Sequence, residues 1–283
     1  MKTFSYTYTV CVFAALLLLV ATDAMRAQTP GDLLVTPTRV VFESGKRIET
    51  LTLINRGQDS ATYRISLVQF RMKRDGSLER IDSADSGQKS ANDMIRFFPR
   101  EVTIAPGESQ NVRVQVRIPD SAAQGEYRSH LFFRGVPKQT ALAPTGDTSR
   151  NEFSVNLKAV YGVSLPVIVR NGNLKATVQI SDIQLKRGDS SNREMLSLTF
   201  HREGMASVCG TVRVTFVPNS GESTQLASLG GVAIYTPNEE RTFKMPIAVP
   251  SGLDLRNGRI KVEYLAISDA SSEMLASGEA QVQ

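Results

Sequence analysis

Residues 112–118, VRVQVRI, set the fold class of this 283-residue chain. Val112, Val114, Val116 and Ile118 are apolar, while arginine and glutamine occupy the positions between them. Successive side chains of a β-strand point to opposite faces, so this alternation predicts a strand with one buried face and one wet face. The same alternation recurs at residues 50–54, 62–70, 126–133, 174–185, 196–200, 211–217, 242–249 and 259–267. The chain is therefore predicted to be all-β.

Turn-forming residues separate the predicted strands, and no amphipathic helix of three turns is predicted between them. Examples of these turns are Pro106-Gly107 and Asn257-Gly258. Many short strands with regular turns favour β-sandwiches, and about fifteen strands exceed the seven to nine of one immunoglobulin-like domain. We therefore predict two immunoglobulin-like β-sandwich domains, at residues 28–170 and 171–283, which meet at the turn-like tripeptide Asn171-Gly172-Asn173.

Residues 1–27 have the pattern of a cleaved secretory signal peptide. Lys2 precedes an apolar stretch of about a dozen residues, and small residues follow at Ala21, Ala24 and Ala27. A membrane-spanning helix needs roughly 20 apolar residues, so the transmembrane interpretation is weaker. We expect export, and with it the loss of Cys11. The remaining Cys209 is interpreted as a small buried apolar residue rather than a reactive thiol.

The sequence carries no recognisable catalytic set. Its two histidines, His130 and His201, lack a metal-ligand spacing, and His130 is interpreted as a hydrogen-bonded structural residue within a strand. No G-x-S-x-G nucleophile elbow, C-x-x-C pair or acidic calcium loop is present, so no metal, cofactor or small-molecule substrate is predicted. The formal charge of +5 is spread along the chain, which argues against a nucleic-acid partner. An enzyme is disfavoured.

Residues 153–170 form an unusually long run of strand alternation. One parity carries Phe153, Val155, Leu157, Ala159, Tyr161, Val163, Leu165, Val167 and Val169. Strands average five or six residues, so a strand of this length can project beyond its own domain and offer its edge to another chain. The alternative is that Gly162 or Pro166 divides the run into two strands that are both paired internally.

Four motifs follow one another in the first half of the chain: TPTRVVF at residues 36–42, TLTLINRG at 50–57, Pro99 followed by APGESQNVR at 105–113, and the run from Gly125-Glu126 to Val136-Pro137. In order and spacing they resemble the N-terminal domain of PapD-like periplasmic chaperones of pilus assembly. The resemblance covers about residues 33–170, whereas the second half matches only in strand rhythm and in YLAISDAS at 264–271. It implies an L-shaped pair of immunoglobulin-like domains in the periplasm, whose cleft holds an incompletely folded subunit.

The resemblance also implies roles for individual residues. In that family an arginine on the first strand and a lysine on the last strand of domain one hold the C-terminal carboxylate of a pilin-like or other β-rich subunit. Arg39 stands at the arginine position, and a guanidinium on a rigid strand can hold a carboxylate through two hydrogen bonds. The same last strand lends alternate apolar residues to the groove of the subunit. Here that row is Phe153, Val155, Leu157, Ala159 and Tyr161.

The chain departs from the family at two positions. Counting back from Pro166, the lysine position falls on Tyr161, and the nearest basic residue, Lys158, has the opposite parity. The position before that proline is Leu165 rather than an arginine, so the interdomain ion-pair network expected around Glu126 and Asp269 is incomplete.

Two functions from different classes remain open. The first is a chaperone that caps exported subunits by donating an edge strand during fimbrium assembly, with an outer-membrane usher as a further partner. The second is a structural or adhesive subunit of a surface assembly. Such a subunit would lack the arginine motif and often carry its own donor extension, for which QTPGD at residues 28–32 is too short and polar. The chaperone is therefore the leading hypothesis.

Overall fold

The computed structural model describes residues 33–137, 160–187, 193–267 and 273–282. The strands of domain one are β1 (Leu33–Thr36), β2 (Val40–Phe42), β3 (Ile48–Asn55), β4 (Ala61–Met72), β5 (Leu78–Ile81), β6 (Lys89–Ser90), β7 (Ile95–Phe98), β8 (Glu101–Ile104), β9 (Ser109–Val116), β10 (Gly125–Val136) and β11 (Gly162–Asn171). One sheet has the order β1-β3-β9-β7, and the larger sheet has the order β2-β11-β10-β4-β5 with β6 beside β10 and β8 beside β4. Their inner faces enclose one apolar core.

Domain two is a second sandwich with its own core. Its strands are β12 (Ala176–Arg187), β13 (Arg193–Gly204), β14 (Val208–Pro218), β15 (Thr224–Ile234), β16 (Glu240–Ala248), β17 (Gly258–Ala266) and β18 (Met274–Gln281). They form the sheets β12-β13-β16 and β15-β14-β17-β18. The prediction of two all-β sandwiches is confirmed. The domain limits and the signal peptide stay predictions, and no helix in the described part of the chain is long and apolar enough to cross a membrane.

The chain changes sheets between β1 and β2. β1 pairs antiparallel with β3 in the smaller sheet, whereas β2 pairs parallel with β11 in the larger one. Pro37, between the two strands, has no N–H to add to a ladder, so the chain leaves the first sheet there. This crossing places Arg39 immediately before β2, at the margin of the larger sheet.

β11 is one continuous strand of domain one. It pairs with β10 from Gly162 to Asn171 and with β2 at residues 167–169. A division at Pro166 is wrong, because the pairing with β10 runs through His130 opposite Pro166 without a register shift. β11 begins at Gly162, so the alternative of a division there stays open. Residues 153–159, which begin the predicted long run, lie outside the described residues.

The turn between β4 and β5 reaches domain two. The backbone N–H of Thr242 donates to the carbonyl of Arg74 at 2.7 Å, and the side-chain amide of Asn238 donates to the carbonyl of Met72 at 2.9 Å. Gly76 in this turn has a φ of +84°, and a Cβ there would lie 2.3 Å from the guanidinium of Arg241. The positive φ favours glycine at this position, and an added side chain would have to displace the guanidinium of Arg241.

Candidate functional site

Arg39 lies where the edge of the larger sheet changes from paired to open. The pairing of β2 with β11 begins at Val40 opposite Val167, so Arg39 stands beside Pro166. Across the described residues, no strand pairs with residues 162–166 on the side away from β10. An open edge presents backbone N–H and C=O groups that a foreign strand can pair with.

The apolar side chains on one face of β11 extend from the core of domain one into solvent at this open edge; we call them the apolar row. The side chains of Leu165, Val167 and Val169 are at most 2% exposed, whereas Val163 is 38% and Tyr161 62% exposed. All five share one parity of the strand, so the row passes from the core into solvent where the cover of β2 ends. The structure thus places the predicted residue Tyr161 at the open edge. Phe153, Val155, Leu157, Lys158 and Ala159 lie outside the described residues, and their roles stay predictions.

Arg39 is a cation without a partner in the described structure. Its side chain is half-buried, and its buried Nε has no hydrogen-bond partner there. Arg128, on the same face of the sheet and 2% exposed, donates from Nη1 to the carbonyl of Thr236 at 2.9 Å and lies 4.4 Å from the ring centre of Tyr235. Burial lowers the pKa of Arg128, and the charge of Arg39 lowers it further. An anion bound beside Arg39 would relieve this repulsion.

His130 is buried beside these arginines but is not hydrogen-bonded to any described residue. It is 1% exposed, and its ring lies 4.9 Å from that of Phe70 and 6.3 Å from that of Tyr235. Burial, with a smaller contribution from the charge of Arg128, lowers the pKa of His130 to about 3. The prediction of a hydrogen-bonded structural histidine is therefore wrong in its bonding, and the ring is neutral at physiological pH.

Glu126 joins the two domains. Its carboxylate accepts hydrogen bonds from the N–H of Ser207 at 2.8 Å, from the Ser207 hydroxyl, and from Nε of Arg170 at 3.2 Å. Arg170 also donates to the carbonyl of Ser207 at 2.8 Å and to Glu43 at 2.7 Å. Arg170 thus supplies a guanidinium to Glu126, although the position before Pro166 is Leu165. Whether the network expected around Glu126 and Asp269 is incomplete stays a prediction. Asp269 lies outside the described residues.

The described residues offer no sign of metal chemistry. No group of three or more His, Cys, Asp or Glu side chains among them could hold a metal ion. A cavity of about 550 Å³ is lined by domain-two residues, including Leu185, Glu194 and Leu253, and contains none of the predicted site residues. The features that bear on function are therefore the open edge of β11, its apolar row and Arg39.

A comparison with known protein families finds a match in the first half of the chain. A family model described as the pili and flagellar-assembly chaperone, PapD N-terminal domain, matches residues 32–175. A comparison with curated proteins finds no relative of significant similarity.

Solved structures with a similar chain course come from several bacteria. A chain of the CsuC–CsuE chaperone–tip adhesion subunit complex from Acinetobacter baumannii is 13% identical, with 86% of this chain and 96% of that chain covered and a TM-score of 0.44. The E. coli chaperone DraB is 15% identical, with coverage of 89% and 97% and a TM-score of 0.38. A chain from the Salmonella enterica SafA pilin in complex with the SafB chaperone is 11% identical, with coverage of 92% and 99% and a TM-score of 0.39.

Proposed function

The chain belongs to the family of pili and flagellar-assembly chaperones, and we propose that it binds an exported, β-rich pilin-like subunit in the periplasm. The observation that carries this proposal concerns the described residues: an open strand edge at residues 162–166 lies beside an Arg39 that has no partner among them. Each element alone is common, because most sheets have edges and most surface arginines are unpaired. Together they form a site at which a partner strand can pair with β11 while its C-terminal carboxylate binds Arg39.

The open edge of β11 supplies the strand that an incomplete subunit lacks. Such a subunit exposes an apolar groove and unpaired backbone groups, both of which promote aggregation. Backbone hydrogen bonds from β11 pair with the subunit, while Val163, Tyr161 and the residues before them fill the groove. The exposed apolar side chains of Val136 and Val160, 39% and 41% exposed, extend the contact at the same end of the sheet.

Arg39 holds the C-terminal carboxylate of the bound subunit and so fixes the register of strand pairing. Backbone pairing alone permits slippage, and a slip of one residue moves every side chain to the other face. A bidentate hydrogen bond from a guanidinium to the terminal carboxylate defines one register. Arg128 is buried and donates to Thr236, so the carboxylate meets Arg39 from the solvent side. Lys158 is the second cation that we propose for this site.

Co-expression tests the proposal. The mature chain is produced in a bacterial periplasm together with a candidate exported, β-rich pilin-like subunit, and soluble one-to-one complex is measured by affinity capture. We expect Arg39→Ala to weaken the complex about 10- to 100-fold, since a charged hydrogen bond is worth roughly 1.5–3 kcal/mol. Val163→Asp, which places a charge in the apolar row, should have a larger effect and abolish capture.

Arg113→Ala is the matched control, because Arg113 is exposed on the smaller sheet and away from the open edge. It should leave capture unchanged. A subunit that stays soluble and unbound without this chain would refute the proposed function. If Arg39→Ala instead lowered the melting temperature by many degrees while capture persisted, Arg39 would be a residue of the fold and not an anchor.

A further inference from the structure

The outward side of the larger sheet carries arginines that no described carboxylate neutralises. In the strand register, Arg134 on β10 lies opposite Gly162, at the end of the open edge that is farther from Arg39. Arg80 on β5 lies opposite Phe70 on β4. Neither side chain takes part in an ion pair or hydrogen bond with a described residue, whereas Arg71 on the neighbouring strand is held by Asp85 at 2.7 Å and by Glu79 at 3.5 Å. We call the outward side chains of Arg80, Phe132 and Arg134 the arginine face.

Phe132 forms the centre of this face. The guanidinium carbon of Arg80 lies 6.0 Å from the centre of its ring, a separation that allows a cation–π attraction. The ring lies over Gly162, where an added Cβ would come within 2.5 Å of two ring carbons. The residues opposite Phe132 on the two adjacent strands are Ser164 and Ser66, which are small and uncharged. The face is therefore an apolar ring with cations beside it.

Small outward residues on β11 bring the arginine face within reach of a strand added at the open edge. Residues directly opposite each other in a sheet share a face, so the outward residues of β11 at this edge are Gly162, Ser164 and Pro166. Gly162 lies opposite Arg134 and Ser164 opposite Phe132, and neither has a side chain long enough to separate an added strand from those two residues of β10. Strands lie about 4.8 Å apart, so a glutamate on the added strand can reach Arg134 across β11.

The charges on this side of the sheet do not cancel. Arg64 pairs with Glu101 at 3.1 Å, and Arg170 on β11 pairs with Glu126 and Glu43. Arg39, Arg80 and Arg134 on this side of the sheet have no carboxylate partner among the described residues.

We propose that the strand accepted at the open edge of β11 presents acidic outward side chains to the arginine face. The inference rests on the proposed function and specifies the chemistry of the partner. Backbone hydrogen bonds can form with a partner strand of any sequence. The apolar row requires only that apolar residues alternate with other residues along the partner strand. Arg134 and Arg80 add a selection by charge, since they attract an acidic strand and repel a basic one.

Two synthetic peptides provide the test. Each has about ten residues and a free C-terminal carboxylate; one alternates valine with glutamate and the other alternates valine with lysine. Dissociation constants are measured by fluorescence anisotropy at low and at high salt. We expect the glutamate peptide to bind about tenfold more tightly at low salt, and this preference to shrink at high salt because exposed charges are screened.

Variants assign the preference to named residues. Arg134→Gln should remove most of the preference for the glutamate peptide, and Arg80→Gln a smaller part of it. Arg71→Gln, which removes the same charge from a paired position, should leave the preference intact. Loss of the preference in Arg71→Gln to the same degree would show a non-specific effect of net charge and would overturn the inference.

The outcomes separate this inference from the proposed function. Equal binding of both peptides would overturn the acidic-partner inference and leave strand addition standing. Failure of both peptides to bind would overturn both. An amidated glutamate peptide isolates the carboxylate anchor: it should bind more weakly through the loss of the Arg39 contact, yet keep its advantage over an amidated lysine peptide.

Discussion

Single residues were predictable here where a local motif fixes them. Arg39 was singled out by TPTRVVF together with the three motifs that follow it, and it lies beside the part of the β11 edge that no described strand covers. Arg170 was not predictable in this way, because its partnership with Glu126 depends on which residues of β10 and β11 lie opposite each other. That register is set by the whole sheet rather than by any local pattern. The burial of His130 without a hydrogen bond could not be predicted from the sequence either, because its neighbours Phe70 and Tyr235 come from distant parts of the chain.

The buried His130 should make folding stability depend on pH. Its pKa is lowered to about 3 in the folded protein, against an ordinary value of 6.5. Between these values the unfolded chain binds a proton that the folded chain does not, so stability rises with pH in this range and is fully present above about 6.5. We expect the free energy of unfolding to fall by up to about 1.4 kcal/mol for each pH unit below 6.5.

Urea unfolding of the wild type and of His130→Leu checks this expectation at about pH 7 and about pH 5, on either side of the ordinary histidine pKa. The variant should lose less stability than the wild type on acidification. Among the groups that face His130, Arg128 and Tyr235 do not titrate in this range, because arginine stays charged and burial raises the pKa of Tyr235. Equal losses in both proteins would contradict the assignment.

Strands were the most predictable elements of the fold. Alternation identified β9, β10 and β17 with ends that differ by a few residues from those of the structure. The parallel pairing of β2 with β11 was not predictable, because β2 has only three residues and lies far from β11 in the sequence. Yet this short pairing determines where the edge of β11 opens. The candidate site thus depends on an element too short to be recognised by periodicity.

Gly162 at the start of β11 should be intolerant of a side chain while Phe132 is present. A Cβ at position 162 would lie 2.5 Å from two carbons of the Phe132 ring and 3.2 Å from the carbonyl oxygen of Phe133. We expect Gly162→Ala to lower the free energy of unfolding by about 1–3 kcal/mol, the usual range for overpacking. Urea unfolding measures this change.

A double-mutant cycle identifies the cause. In the Phe132→Leu background the offending ring carbons are absent, so Gly162→Ala should cost clearly less than it does in the wild type. Ser164→Ala, which deletes a hydroxyl two residues along the same strand, serves as a control without a steric clash. Additive effects of Gly162→Ala and Phe132→Leu would show that the ring does not constrain the glycine.

At the scale of the whole molecule, the described residues form two cores and a smaller apolar cluster between them. That cluster contains Met72, Ile168, Ala233 and Tyr235, with Val41 and Cys209 packed against it. The sequence predicted the two sandwiches from the number of strands, but it could not predict their contact. The residues of this contact come from β2, β4, β11, β14 and the end of β15, which are far apart in the sequence. The Glu126 cluster beside it is the polar part of this contact.

Docking of the two domains should depend on Glu126 far more than on Glu43. Both carboxylates contact Arg170, but the side chain of Glu126 is 1% exposed and that of Glu43 is 49% exposed. Removing one partner of a buried pair costs about 3–5 kcal/mol, whereas an exposed pair is worth about 0–1 kcal/mol. We expect Glu126→Ala to uncouple the thermal unfolding of the two domains and Glu43→Ala to leave it nearly unchanged.

Differential scanning calorimetry distinguishes these results. A domain that unfolds independently gives a separate transition, so Glu126→Ala should broaden or divide the heat-absorption peak while Glu43→Ala keeps the shape of the wild type. If both variants behaved alike, the burial of Glu126 would not matter for docking.

The turn between β4 and β5 forms a second contact between domain one and domain two. Glu126 and Arg170 hold the domains beside β10 and β11, while Arg74 and Thr242 join them two strands away. Two attachment points on separate strands suppress rotation about either one, so the two sandwiches keep one relative orientation.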